Sequence, residues 1–413
     1  DYNLNIPRYI DSSEPEDLQD IEAHLKGGIP NRDIDGLKDY WKVCPGLRNE
    51  LFGRGDREGY SQIKIDATQV KPTIFAHPKF VAFSQSVKKR FEKWKASNSR
   101  RLKEIKKGDK PKKLIDLISE EILQTFLDAP LIDTYDIYQH LMTYWSDTMQ
   151  DDVYMIVADG WKESAKLQLL IEDKDKKNKD KPDIVVGKMK YKADLIPPTL
   201  LIARYFATEK AAIEKLEADT EELARQMEEI REEHSGEDGL LQEVLDEKGK
   251  VSKALLTERI KELEQQVQPV RMAAEPKAIY TTTGARRDVQ LNVPTNEDDE
   301  LTVLRYYVRL IEQEAEANRK LKEAQKALDV KVVTKYGALT VDEIKTLVVD
   351  DKWLATLAAD VQTELDRVSQ ALTGRIKQLA ERYTTALPAL TEEVETLSSR
   401  VDGHLKKMGF VWK

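Results

Sequence analysis

The chain has 413 residues, with 66 Lys or Arg against 75 Asp or Glu and a formal charge of −9; 34% of residues are charged, 7% aromatic and 40% hydrophobic. With Gly and Pro sparse, this composition excludes a collagen-like chain, opposes an all-β sandwich, and is too apolar for disorder throughout. The single Cys44 excludes an intrachain disulfide framework and fits a reducing compartment. No run of about 18 apolar residues marks a membrane span and no signal peptide opens the chain. The length allows roughly two to four domains. Opening on Asp1 rather than Met, the chain reads as a soluble cytoplasmic piece of a longer protein.

The expected fold is mainly α, with an irregular α+β N-terminal half followed by long helical hairpins and a C-terminal helix pair. Residues 1–30 are extended in character, restricted by Ile6-Pro7 and Glu14-Pro15 and closed by Gly27-Gly28. Residues 31–206 form a mixed region. In it Phe52–Asp56 reads as a turn, Ser61–Asp66 as a half-buried strand, and Val153–Val157 and Ile184–Tyr191 as short strands around a polar loop, Asp173–Lys181.

Between Val87 and Lys113 the balance turns strongly basic: Lys88, Lys89, Arg90, Arg100, Arg101, Lys103, Lys106, Lys107, Lys110, Lys112 and Lys113 face little opposing charge. A surplus that dense is a local field suited to a phosphate backbone, and equally to a solvated helix face. Phe91 and Trp94, three apart, are expected to anchor this helix by packing rather than to stack on bases. Leu114, Ile118 and Ile122 continue with a helical stripe, and Tyr135, Tyr138, Met142 and Trp145 with an aromatic one.

Residues 207–270 predict a helical hairpin. Its seam carries Ile213, Thr220 and Met227 with Leu216, Leu223 and Ile230, and Leu256, Ile260 and Leu263 lie on the returning arm. Residues 271–345 read as a linker and a long charged helix, and residues 346–413 as the closing helix pair. In that pair Leu354, Val361, Leu365, Val368, Leu372, Ile376 and Leu379 form one apolar stripe, and Leu390, Val394, Leu397, Val401 and Leu405 a second after Pro388. Stripes this narrow must be covered by each other, by the rest of the chain, or by a partner.

A search for chemistry returns little. No Gly-x-Gly-x-x-Gly, phosphate-binding Gly-x-x-x-x-Gly-Lys-Ser/Thr or Gly-x-Ser-x-Gly pattern occurs. His24, His77, His140, His234 and His404 show no ligand spacing, and Cys44, before Pro45-Gly46, reads as a small buried hydrophobe. No catalytic, cofactor-binding or metal residue is assigned.

The opening Tyr2-Asn-Leu-Asn-Ile-Pro-Arg-Tyr-Ile10 closely resembles the segment after the catalytic motif in the modification (M) subunit of type I restriction–modification DNA methyltransferases. Thr134–His140, Asp194–Pro197, Leu347–Leu354 and Asp366–Gln370 also resemble stretches of the longer M subunits. The resemblance implies a parent enzyme that binds S-adenosylmethionine, extrudes adenine from the duplex and methylates its exocyclic amine. The Asn/Asp-Pro-Pro-Tyr/Phe motif this needs is missing here, since Pro197-Pro198 stands between Ile196 and Thr199. The chain therefore resembles the non-catalytic C-terminal part of such a subunit, with no cofactor of its own.

By the same resemblance the closing stripes would dock the specificity (S) subunit, the basic run would lie along DNA, and a restriction (R) subunit would join the full complex. Self-association of the isolated chain is compatible with uncovered stripes. A free-standing coiled-coil scaffold or adaptor would explain the heptads but not the opening motif.

Overall fold

The computed structural model describes residues 18–170, 181–234, 236, 239–245, 251–271, 300–383 and 385–410. The opening motif Tyr2–Ile10, most of the polar loop from Asp173 and the linker 272–299 lie outside them. The structure is 76% helical with two small sheets, so the chain is mainly α, as its periodicities predict.

In chain order the elements begin with α1 (Ile21–Lys26), β1 (Ile29–Pro30), α2 (Asn31–Asp35), α3 (Lys38–Val43) and α4 (Leu47–Leu51), then β2 (Phe52–Arg54) and β3 (Tyr60–Ile63). Helices α5 (Ala67–Ala76), α6 (Pro78–Lys103), α7 (Pro111–Phe126), α8 (Thr134–Tyr144) and α9 (Gln150–Asp159) follow. A wide π-type turn, Trp145–Met149, joins α8 to α9. Next come α10 (Trp161–Ser164), β4 (Gln168–Leu169), β5 (Ile184–Val186), β6 (Met189–Lys192), α11 (Pro198–Tyr205), α12 (Ala207–His234) and α13 (Lys253–Arg271). The chain closes with α14 (Glu300–Ala338), α15 (Val341–Lys345), a second π-type segment (Thr346–Leu354), α16 (Ala355–Tyr383) and α17 (Leu387–Lys407).

These elements group into two compact units, one of residues up to Gly160 with Val348 onward, the other Trp161–Leu347. The boundary expected near residue 206 falls inside the second unit, because α11 packs on α12 and α14.

In the first unit α16 is the central helix, packed by α5, α6 and α8. Its apolar residues recur every three or four positions, and Val361, Leu365, Val368, Leu372, Ile376 and Leu379 are all buried. Each such side chain contributes about 1.5–3 kcal/mol on removal from water. A three-stranded antiparallel sheet, order β1-β3-β2, sets Ile29 opposite Ser61 and Phe52 opposite Ile63. The strand expected at Ser61–Asp66 is thus found as β3, whereas Phe52–Arg54, read as a turn, is its partner strand. Val153–Val157, expected as a strand, lies in α9, with Val153 and Ile156 buried at helical spacing. The aromatic stripe also turns partly outward: Tyr135 is exposed, and Ile137 and Leu141 fill the core face of α8 instead.

The second unit is built on α14, the longest helix at 39 residues. The expected hairpin is corrected here. Helix α12 lies along α14, and α13 also packs on α14, so the two arms share a third helix. Ile230, Leu256, Val303, Leu304, Tyr307 and Leu310 form the common core, joined by Leu241 and Val244 from the connection. In an antiparallel sheet, order β4-β6-β5, the segment Ile184–Tyr191, expected as one short strand, is instead the hairpin of β5 and β6, turned at Gly187 with φ +62°. Glycine takes that left-handed conformation without a Cβ clash. Beneath it Tyr336 donates its hydroxyl to the Ile196 carbonyl at 2.5 Å. Among the described residues no helix is long and apolar enough to cross a membrane.

Candidate functional site

Two surface features of the first unit correspond to the expected sites: a basic corner between α6 and α7, and α17. The corner forms because α6 is amphipathic. Phe80, Phe83, Val87, Phe91, Trp94 and Leu102 are buried on one side, which leaves its lysines on the other. Phe91 and Trp94 lie 5.6 Å apart between ring centroids, and Trp94 Nε1 donates to the Ile118 carbonyl at 3.1 Å. Both rings therefore anchor the helix, as expected, and neither is open to a base.

The turn after α6 is tied down by two bonds. Gly108, at φ +87°, donates its N–H to the Val157 carbonyl at 2.9 Å, and Lys106 N–H donates to Asp109 Oδ2 at 2.8 Å. Pro111 then starts α7 at a position where a missing N–H costs nothing.

The basic run divides into engaged and unengaged side chains. Arg90 donates to the carbonyls of Thr125 and Asp128 at 3.0 and 3.4 Å. Arg101 donates to Asn98 Oδ1 and lies 3.1 Å from Glu121 Oε2, whose carboxyl it holds below the ordinary range. Lys103 reaches Asp350 Oδ2 at 2.5 Å, and the exposed Arg100 pairs with Glu104 at 2.8 Å. These four hold the fold together or pair locally. Lys88, Lys89, Lys106, Lys107, Lys110, Lys112 and Lys113 are exposed, and none forms a salt bridge among the described residues. Below Lys110 and Lys113 runs a groove of about 350 Å³ floored by Ile105, Leu114, Val153 and Val157. The corner thus offers exposed cations over a partly apolar floor, which suits sequence-independent attraction of phosphates.

The stripes of α16 and α17 have different fates. Leu354, Val361, Leu365, Val368, Leu372, Ile376 and Leu379 are buried in the chain's own core. Their expected role in docking another subunit is corrected: α5, α6 and α8 already cover them. Helix α17 starts from the extended Ala386, with Pro388 in its first turn, and has no buried residue along its 21-residue length. Leu390, Val394, Leu397 and Val401 remain 43–64% exposed.

Two of the stretches that carry the family resemblance, Thr134–His140 and Asp366–Gln370, meet inside the first unit, whereas Asp194–Pro197 belongs to the second. Asp136 of Thr134–His140 accepts from Arg367 Nη2 of Asp366–Gln370 at 2.5 Å, and His140 Nε2 lies 2.8 Å from Glu364 Oε1. Burial pushes the Glu364 carboxyl up, but the bonds from His140 and Arg367 hold it below its ordinary value. Within Leu347–Leu354, Lys352 and Trp353 both bond to the buried Asp152. Sequence reading did not find this polar cluster; its one signal was a lysine set between Val348-Val349 and Trp353-Leu354. It is closed from solvent and holds helices together.

Among the described residues no group of His, Cys, Asp and Glu is placed to hold a metal ion. His77 caps α6 by accepting from Lys79 N–H at 3.2 Å, and Cys44 is buried. A cavity of about 600 Å³ between α1, β3 and the end of α16 is lined by Gly28, Arg57, Tyr60 and Tyr383. Arg57 is engaged there already: it donates to the Gly27 carbonyl at 2.6 Å and stacks 3.8 Å over the Tyr60 ring. Compared with protein-family profiles, with curated proteins and with solved structures, the chain matches none.

Proposed function

We propose that this chain is the non-catalytic C-terminal region of a type I restriction–modification M subunit, working in the cytoplasm as an assembly and DNA-holding piece. On this reading the parent protein binds S-adenosylmethionine and methylates adenine N6, while this region docks the S subunit through α17. The α6–α7 corner lies along the DNA backbone, and the R subunit joins the assembled complex. The observation that carries the reading is the contrast between the two closing helices, one with its stripe covered and one with its stripe open.

An apolar face of three to four turns next to a covered one suits a partner helix that completes a bundle. The docking residues are therefore Leu390, Val394, Leu397 and Val401. Co-purification with the S subunit is the test. Leu390→Glu with Leu397→Glu should abolish capture while the helical circular dichroism stays unchanged; undiminished capture would overturn the reading.

A further inference from the structure

We propose that α17 pairs with α17 of a second copy of this chain as a short antiparallel, two-fold helix pair. The apolar residues Leu387, Leu390, Val394, Leu397 and Val401 alternate steps of three and four, the spacing of a coiled-coil seam. Their side chains are solvent-exposed along the whole helix. From Leu387 to Val401 the seam runs for about 21 Å at 1.5 Å per residue.

The occupant follows from the charges beside the seam. The N-terminal half of α17 is acidic, with Glu392, Glu393 and Glu395, and the C-terminal half is net basic, with Arg400, Lys406 and Lys407 against the single Asp402. A parallel partner would set like halves side by side. An antiparallel copy sets each acidic half against a basic one, and a two-fold axis repeats every such contact.

The register can be read from the heptad. Val394 packs against Leu397 of the second copy, and Leu390 against its Val401. That alignment brings Glu393, which flanks the seam on the residue before Val394, beside Arg400 of the second copy, which flanks it on the residue before Val401. The same pair forms again across the axis. Neither Glu393 nor Arg400 forms a salt bridge within the chain among the described residues, so both side chains are available.

This pairing does not depend on the identity of the docked subunit proposed above. It occupies the same face, however, so on that reading the paired form and the docked form exclude one another.

Sedimentation velocity of the full chain across the micromolar range tests it. The expected result is a monomer–dimer equilibrium in which E393R or R400E alone weakens dimerisation roughly tenfold, because each places two like-charged contacts across the axis. The double variant E393R/R400E, or an equimolar mixture of the two single variants, should restore the dimer. A chain that stays monomeric, a dimer indifferent to the single reversals, or a double variant that fails to recover would each overturn the proposal. Capture of the S subunit by a monomeric chain would leave the docking reading intact while removing this one.

Discussion

Lys352 Nζ lies 2.6 Å from Asp152 Oδ2, with both side chains buried, and Trp353 Nε1 donates to the same oxygen at 2.8 Å. The pair links α9 to the π-type segment before α16, and burial pushes the Asp152 carboxyl upward against the pull of the ammonium. Removing one partner leaves an uncompensated charge in the core, which costs about 3–5 kcal/mol, whereas an apolar replacement of both is far milder. Asp152→Ala should accordingly destabilise the chain by that amount in urea unfolding, and Asp152→Leu with Lys352→Met should recover most of it. Single variants that cost under about 1 kcal/mol would show the pair to be incidental.

The two closing stripes predict opposite responses to one substitution. Leu372 is buried in α16 and Leu397 is exposed on α17. Leu372→Asp should lower the thermal midpoint sharply, since a carboxylate there is buried without a partner and the chain loses well over about 3 kcal/mol. At dilutions where the chain is monomeric, Leu397→Asp should change stability by no more than about 0.5 kcal/mol. Equal effects in thermal melts would contradict the burial assigned to α16.

DNA binding at the basic corner predicts a salt signature. Each phosphate contact contributes about −0.9 to the slope of log affinity against log salt for duplex DNA. Replacing Lys106, Lys107, Lys110 and Lys112 with Gln should make that slope shallower by about 3–4 and weaken binding across all sequences alike. Fluorescence anisotropy with a random duplex measures both. Affinity and slope unchanged from the parent chain would remove the corner from DNA binding.

Glu343 gives the second unit a pH dependence. Its carboxylate accepts from Lys335 Nζ at 2.6 Å and from Thr340 N–H at 2.8 Å, closing the capping box of α15, and these bonds hold it at about 2. Because the folded value lies below the unfolded one, the stabilisation is complete above about pH 4.5 and disappears as the pH falls towards 2. Glu343→Gln should lose about 1 kcal/mol at neutral pH and flatten the stability curve across that window. Parallel curves for the two proteins would contradict the assignment.

Cys44 is 1% exposed, and burial raises its thiol above the ordinary range. Alkylation by iodoacetamide at neutral pH should therefore wait for unfolding, because only the exposed thiolate reacts. Rapid labelling of the native chain would mean that the α3–α4 turn opens.

Helical periodicity was legible wherever the apolar spacing was regular: the stripes of α12, α16 and α17 stand on helices where the sequence predicts them, and α14 forms where a long charged helix is expected. The misreadings occurred in short segments. Val153–Val157 is rich enough in branched residues to resemble a strand, but the acidic turn before it and the π-type turn at Trp145–Met149 continue the helix through it. Phe52–Arg54 carries Gly53 and runs into Gly55-Asp56, both turn signals, and becomes a strand only because β3 pairs with it. The basic run was visible from composition. Which of its members were engaged was not, because the carbonyls that Arg90 meets and the carboxylates that Arg101 and Lys103 meet lie on other elements.

The sequence by itself determined that the chain is mainly helical, that a band of positive charge sits at residues 88–113, and that two apolar stripes end the chain. It could not say which stripe is covered, since spacing describes one helix at a time and coverage depends on neighbours distant in sequence. Tertiary structure decided that α5, α6 and α8 close over α16 and leave α17 open. A side chain becomes core when water is removed from both it and its neighbour. That second party, more than the periodicity, separates the helix that holds this chain together from the one it leaves exposed.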